Sequence, residues 1–246
     1  MDFSAILRHR YQRCQHIFAR WYPNFRNAGE QYQDLIAAVV TPDTALIDVG
    51  CGRMSLAEAA IHTTSRSVGV DLRLNDLQHN TTVRQRVLAN AEHLPFASAS
   101  FDVLVSQWTI EHLQDPQSVF DEMSRIVRPG SSLILFTTNA HHYIPLVSRL
   151  IPDGVQRFLI QRLLQRPGHE SHPTFYRANT RRVINALART AGLQLCACIY
   201  VGNPFYLAFS PLLFRLALVY EKITDIPALS RFKLYMLVVL SKAGAV

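Results

Sequence analysis

The sequence predicts an α/β fold: a Rossmann-like, seven-stranded, mostly parallel sheet with helices on both faces and an antiparallel last strand. Three observations carry that prediction. From residue 45 onward, short apolar runs of strand length alternate with segments of helical periodicity. The first run, Leu46-Ile47-Asp48-Val49, breaks into Gly50-Cys51-Gly52 and then a helical pattern. The second, Val68-Gly69-Val70, ends in a carboxylate, Asp71. Strands alternating with helices imply right-handed crossovers and a parallel sheet.

Each element follows from its local pattern. Phe3, Ile6, Leu7, Tyr11, Cys14, Phe18 and Trp21 recur at helical spacing with arginines between them, and Pro23 ends that helix. A second helix spans 29–40 and packs Leu35, Ile36 and Val39. The strand at 45–49 leads through the glycine turn into a helix at 55–62, a strand at 67–70 and a helix-and-loop region around 75–79. Further strands fall at 86–89 and 101–106. A helix at 116–127 buries Val119, Met123, Ile126 and Val127 and is stopped by Arg128-Pro129-Gly130 before a strand at 132–137.

An insertion follows at 141–178. It has helical spacing at Ile144, Val147, Leu150 and Ile151, and again at Val155, Phe158, Leu159 and Leu163. A helix at 180–191 and a strand at 193–200 resume the alternation. An apolar insertion at 202–232 precedes the last strand, 234–240. The expected organisation is one domain over 1–246. It comprises cap helices at 1–40, a cofactor-binding core at 41–140, a helical lid at 141–178 and a C-terminal part at 179–246.

Composition narrows the class. Hydrophobic residues at 49% and charged residues at 17% exclude a disordered chain. The net charge of +7 is uneven: residues 1–140 carry 12 basic and 14 acidic side chains, residues 141–246 carry 13 and 4. A basic, apolar back part suits an anionic substrate, a membrane surface or nucleic acid, or serves solubility alone. Cys14, Cys51, Cys196 and Cys198 form no C-x-x-C pair and no disulfide framework, which fits a reducing compartment. Cys196 and Cys198 alternate in an apolar run and are expected to be buried in the sheet rather than to bind metal. No signal peptide is read at the start. The apolar stretch 205–220 contains Pro211 and Arg215 and falls short of the ~20 residues that cross a bilayer.

Gly50 and Gly52 let backbone approach a ligand, and the helix after them offers free N–H groups. The nicotinamide fingerprint requires a third glycine at 55, where Ser55 stands. Asp71, 19 residues past Gly52, suits the ribose of either a nicotinamide dinucleotide or S-adenosylmethionine. The passages Asn90-Ala91-Glu92-His93-Leu94-Pro95-Phe96, Ser100-Phe101-Asp102, Glu111-His112-Leu113 and Val127-Arg128-Pro129-Gly130 discriminate. With the glycine turn, they resemble the class I S-adenosylmethionine-dependent methyltransferases, and most closely the small-molecule group that includes quinone and sterol methyltransferases (the type 11 methyltransferase domain).

The resemblance covers roughly residues 41–140 and implies S-adenosyl-L-methionine as cofactor. It implies that Asp48, Gly50, Cys51 and Gly52 surround the methionine part. Asp71 would hold the two ribose hydroxyls, Leu72 after it would also line the cofactor, Asn90 and Ala91 would lie beside adenine, and Ser106 and Gln107 would face the methionine end and the reactive methyl. Two departures stand out: Met54 replaces the third glycine of the turn, and Asn90 replaces the adenine-side acid of many relatives.

The donor methyl is already activated, so the protein chiefly aligns a nucleophile and excludes water. An acceptor hydroxyl or carbon also needs a base. His142 with Tyr143, just past the fifth strand, and His112, after the fourth, are the candidates, with His141, Glu170 and His172 behind them. No metal site is expected. The predicted acceptor is a small molecule, narrowed to a lipid-like or lipid-linked one. The predicted location is cytoplasmic with peripheral contact to an anionic membrane. Competing readings are a nicotinamide-dependent oxidoreductase, a nucleic-acid methyltransferase and a non-catalytic cofactor-binding protein. Ser106-Gln107-Trp108-Thr109 lacks the Asn-Pro-Pro-aromatic turn of amino-directed nucleic-acid enzymes.

Overall fold

A computed structural model describes residues 3–148 and 173–244, with side chains from residue 8. The predicted lid positions Leu150, Ile151, Val155, Phe158, Leu159 and Leu163, and the candidates Glu170 and His172, lie outside the described residues, as do the side chains of Phe3, Ile6 and Leu7.

The helices are α1 (Phe3–Trp21), α2 (Ala28–Ala37), α3 (Glu58–Thr63), α4 (Leu74–His79), α5 (Pro116–Ile126), α6 (Tyr143–Ser148), α7 (Arg181–Thr190) and α8 (Pro211–Thr224). The strands are β1 (Ala45–Val49), β2 (Arg66–Asp71), β3 (Gln85–Leu88), β4 (Phe101–Gln107), β5 (Val127–Thr138), β6 (Leu193–Val201) and β7 (Tyr235–Lys242).

The seven strands form one sheet in the order β3-β2-β1-β4-β5-β7-β6. The pairs β1–β2, β1–β4, β2–β3 and β4–β5 are parallel, and the chain finishes in antiparallel strands. The predicted sheet is therefore present. Its central strands read as continuous apolar runs because both faces are covered: Leu46, Ile47, Leu104, Val105, Leu133 and Leu135 are almost wholly buried. The chain leaves β1 outward to β2 and β3, then returns to β4 on the other side. That reversal opens a crevice beyond the carboxyl ends of β1 and β4.

Three local expectations are corrected. The helix after the glycine turn starts at Glu58, not at 55. The chain from Ser55 to Leu56 is instead held by side chains of other elements: the Ser55 N–H donates to Thr82 Oγ1 at 3.0 Å and the Leu56 N–H to Gln107 Oε1 at 2.7 Å. Arg128-Pro129-Gly130 does not sit in a connecting loop but inside β5, which starts at Val127. Gly130 adopts φ +82°, the pairing with β4 shifts register between Phe101 and Val103, and Arg128 pairs with Asp102. Cys196 is exposed and Cys198 half-buried, because β6 is an edge strand with no further neighbour to cover it.

The chain divides into two compact units. The sheet unit comprises residues 28–138, 173–199 and 236–246. The helical unit comprises residues 1–27, 139–172 and 200–235. Within the helical unit, Cys14 of α1 is buried with Ala208, Phe214 and Leu218, and Ile17, Phe18, Tyr22 and Phe205 pack around them. A charged cluster lies beside this core. Lys233 Nζ is 2.8 Å from Asp225 Oδ1 and 3.4 Å from Glu221 Oε2, and Glu221 Oε1 accepts the Asn203 N–H at 3.0 Å.

Candidate cofactor site

The turn after β1 is built on two left-handed backbone positions. Gly50 has φ +78° and Gly52 φ +53°, a region that L side chains adopt only at a cost. At Gly50 space is also lacking, since a Cβ there would lie 2.0 Å from Thr109 Oγ1. At Gly52 the Cβ direction is open, with nothing within 4 Å. The N–H groups of Gly50 and Cys51 both donate to Val70 O, at 2.8 and 3.0 Å. The turn therefore grips the end of β2 on one side and presents open backbone on the other.

Asp71, the last residue of β2, closes this grip. Its Oδ2 accepts the Gly52 N–H and its Oδ1 the Arg73 N–H, each at 2.9 Å. Each carboxylate oxygen can accept more than one donor, so these bonds orient the group without exhausting it. Leu72, next in chain, leaves 67% of its surface exposed. Asn90 is exposed, accepting the Glu92 N–H and reaching Glu92 Oε2. Ala91 beside it is half-buried.

Asp48, the second-last residue of β1, is fully buried, and neither of its carboxylate oxygens has a hydrogen-bond partner. Burial raises its pKa to about 7, and the charge of Asp71 adds to the rise. The Ser55 hydroxyl lowers it, although it stands outside bonding geometry. The hydroxyl of Tyr32 in α2 is likewise buried and unpartnered. Burial first, then the charge of Asp48, drives its pKa well above the usual phenol range. Ser106 and Gln107, at the end of β4, are buried and turned toward the backbone of the turn. Ser106 Oγ donates to Val49 O at 2.7 Å, and Gln107 Nε2 donates to Met54 O at 2.8 Å.

Residues 47–135 match the family model described as a methyltransferase domain, a span that holds the turn, Asp48, Asp71, Asn90 and the end of β4. Over that span the chain is similar to the class I S-adenosylmethionine-dependent methyltransferases. It is 25% identical over 158 residues to a ubiquinone biosynthesis O-methyltransferase of Hydrogenovibrio crunogenus, covering 61% of this chain and 62% of that protein. A protein of the same description from Xanthomonas campestris pv. campestris is 29% identical over 171 residues, covering 66% and 68%. Among solved structures, a geranyl diphosphate C-methyltransferase from Streptomyces coelicolor superposes with TM-score 0.56 at 16% identity, covering 87% of this chain and 77% of that one. A methyltransferase from Methanosarcina mazei gives 0.56 at 16%, covering 86% and 98%. At those identities the structural likeness speaks for the fold.

The residues of this site fit S-adenosylmethionine. S-adenosylmethionine carries an ammonium group and a sulfonium, and the sheet unit supplies a buried carboxylate that lacks a donor. Gly52 leaves an open face beside it, and Asp71 stands at the tip of the neighbouring strand. Met54, the departure from the third glycine, leaves 63% of its surface exposed and is not packed into the turn.

Sequence reasoning missed four contributors. Asn80 is fully buried and straps the turn: Nδ2 donates to Gly52 O at 2.8 Å and Cys51 O at 3.2 Å, while Oδ1 accepts from Thr82 and Val83. Thr82 passes the strap on to Ser55. Tyr32 lies outside the motif-bearing stretch. Trp108 follows β4 with φ +48°, an uncommon conformation for a bulky residue, and keeps its indole 43% exposed at the carboxyl end of the sheet. Only the aromatic residue just past a strand end offered a signal.

The candidate bases fall in different units. His112, in the 3₁₀ turn Ile110–His112 of the sheet unit, is half-buried and donates Nδ1–H to Pro173 O at 2.8 Å. A carbonyl only accepts, so Nδ1 carries a proton and the bond fixes the ring's orientation. Its neighbour Glu111 is buried, accepts the Thr137 hydroxyl at 2.7 Å, and has its pKa raised by burial. His142 and Tyr143 belong to the helical unit. The His142 ring lies 4.1 Å from that of Tyr143, tilted by 36°, its Nδ1 accepts the Ile144 N–H at 3.1 Å, and burial lowers its pKa to about 3. That leaves His142 neutral with only Nε2–H to offer, a donor rather than a base. The Tyr143 phenol is pushed above its usual range, chiefly by burial. Exposed His141 faces the Phe232 ring at 6.4 Å. Among the described residues no three His, Cys, Asp or Glu side chains gather as a metal site.

Proposed function

We propose that this protein transfers a methyl group from S-adenosylmethionine to a hydroxyl of a small, lipid-like acceptor. The observation that carries the reading is the buried, partnerless carboxylate of Asp48 beneath an open glycine turn, with Asp71 fixed at the next strand tip. When bound, the cofactor supplies a methyl already activated by a cationic sulfur. Asp48 would pair with the cofactor's ammonium group, Asp71 would accept from the ribose hydroxyls, and Leu72 and Ala91 would flank the adenine. Ser106 and Gln107 would act through the turn they brace. His112, its ring oriented through Nδ1, would take the proton of the acceptor hydroxyl at Nε2.

The relatives supply the acceptor class. Their names assign them to ubiquinone biosynthesis as O-methyltransferases, which supports an oxygen nucleophile on a lipid-linked small molecule. An acceptor of that kind resides in membrane, so the protein would work in the cytoplasm in peripheral contact with an anionic bilayer. No described helix is long and apolar enough to cross one.

Isothermal calorimetry with S-adenosylhomocysteine tests the reading. Binding is expected. Asp71→Ala should weaken it by roughly 10- to 100-fold, the worth of one or two hydrogen bonds to a charged group, and Asp71→Asn by less. No heat with the wild-type protein, or an unchanged affinity in Asp71→Ala, overturns it.

A further inference from the structure

A helix that packs on one side normally turns its polar side to water. α8 does the opposite. Phe214, Ala217, Leu218, Glu221 and Thr224 face inward and are buried. On the other side Leu212, Leu216, Val219 and Ile223 remain 69, 59, 46 and 49% exposed. At about 100° per residue these four fall within a sector of roughly 60°, centred opposite the buried face. Ile226, just past the helix, extends the line and is half exposed. Arg215 and Lys222 share one flank of the stripe, about 80° from its centre. Scattered exposed apolar residues need no explanation, but a continuous ridge of large ones does.

Charge selects what covers it. The residues of the helical unit carry 13 Arg and Lys against 5 Asp and Glu, more than the whole excess of the chain. A second copy of so basic a unit would be repelled, whereas an anionic surface would be attracted. An apolar ridge with basic residues at its edge and too little length to span is the make-up of a helix lying in the plane of a bilayer interface. We infer that the Leu212–Leu216–Val219–Ile223 face of α8 docks onto an anionic lipid bilayer, with the apolar stripe in the acyl boundary and Arg215 at the headgroups. The inference rests on the peripheral-membrane reading above and adds the face and the orientation to it.

The test uses the full chain with extruded vesicles, either of phosphatidylcholine alone or of phosphatidylcholine mixed with phosphatidylglycerol. Co-sedimentation at low salt is expected with the mixed vesicles and much less with the neutral ones. Leu216→Asp combined with Ile223→Asp should lower the partition coefficient by about 100-fold, since two burying side chains are replaced by charges of the wrong sign. Arg215→Gln should lower it about fivefold. Both positions of the double variant are exposed, so folding should survive. As an independent reading, Ile223→Trp should shift its emission to the blue when mixed vesicles are added.

Calorimetry with S-adenosylhomocysteine, run on the same double variant, should be unchanged. A failed cofactor assignment and a failed docking face are thereby told apart. Three results would overturn the inference: no sedimentation of the wild type with mixed vesicles, equal sedimentation of the double variant, or a dimer in sedimentation velocity that the double substitution abolishes. The last would make a second copy the occupant.

Discussion

An interior carboxylate without a partner is tolerated only if it stays protonated or if something arrives to pair with it. Asp48 has both options, because burial places its pKa near 7. Between the ordinary carboxylate range near pH 4 and about pH 7, the folded chain holds a proton that the unfolded chain has released. Stability is therefore undiminished below pH 4 and falls as pH rises through 7, by on the order of 4 kcal/mol at pH 8. His142, buried neutral with a pKa near 3, acts in the other direction, losing stability as pH falls from 6.5. The comparison that isolates Asp48 is thus Asp48→Asn against wild type in urea unfolding at pH 4, 6 and 8. The two should match at pH 4, and the variant should be the more stable at pH 8 by a few kcal/mol. In calorimetry the same substitution should weaken S-adenosylhomocysteine binding at least tenfold. Wild-type affinity should rise as pH passes 7, with proton release on binding. A variant less stable than wild type at pH 8 would mean the carboxylate has a partner after all.

At the scale of elements, the glycine turn is only as rigid as the side chains that hold its carbonyls and N–H groups. Asn80 makes five hydrogen bonds to the turn and to the chain after α4, all inside the protein. Asn80→Ala should cost about 2–4 kcal/mol in chemical denaturation, because the partners it leaves are buried and unsatisfied. It should also weaken S-adenosylhomocysteine binding, by loosening the turn rather than by removing a contact. A loss of stability with affinity intact would show that the strap serves the fold alone. This strap also marks the limit of what the chain reveals by itself. β1, the turn and the acid at the end of β2 were legible, because apolar runs, glycines and a terminal carboxylate leave local patterns. Asn80 and Thr82 sit in a polar connection and act on residues 27 to 29 positions away, which no periodicity records. The same limit explains Cys196 and Cys198: alternation placed them on one face of a strand, but not at the sheet's edge. The composition of α8 suits a core element and a bilayer-facing surface alike, because a largely apolar helix does not announce which half is covered.

At the scale of the whole molecule, the two units divide the work in a way that exchange measurements can separate. Every residue assigned to the cofactor lies in the sheet unit, and the exposed ridge with its basic surroundings lies in the helical unit. A ligand that binds only the folded state slows the opening of the elements it touches. Hydrogen exchange with saturating S-adenosylhomocysteine should therefore slow at residues 48–56, 71–73 and 89–91 and stay unchanged along α8. Mixed anionic vesicles should give the converse, protecting 212–226 and leaving the turn as it was. At a hundred times its dissociation constant the cofactor analogue contributes about 2.7 kcal/mol, which for a unit of this size raises the melting temperature by roughly 5–10 °C. Vesicles should not reproduce that rise in the turn's protection. If the analogue slows exchange along α8 as strongly as at the turn, the two units unfold as one cooperative body, and docking and cofactor binding must then be linked.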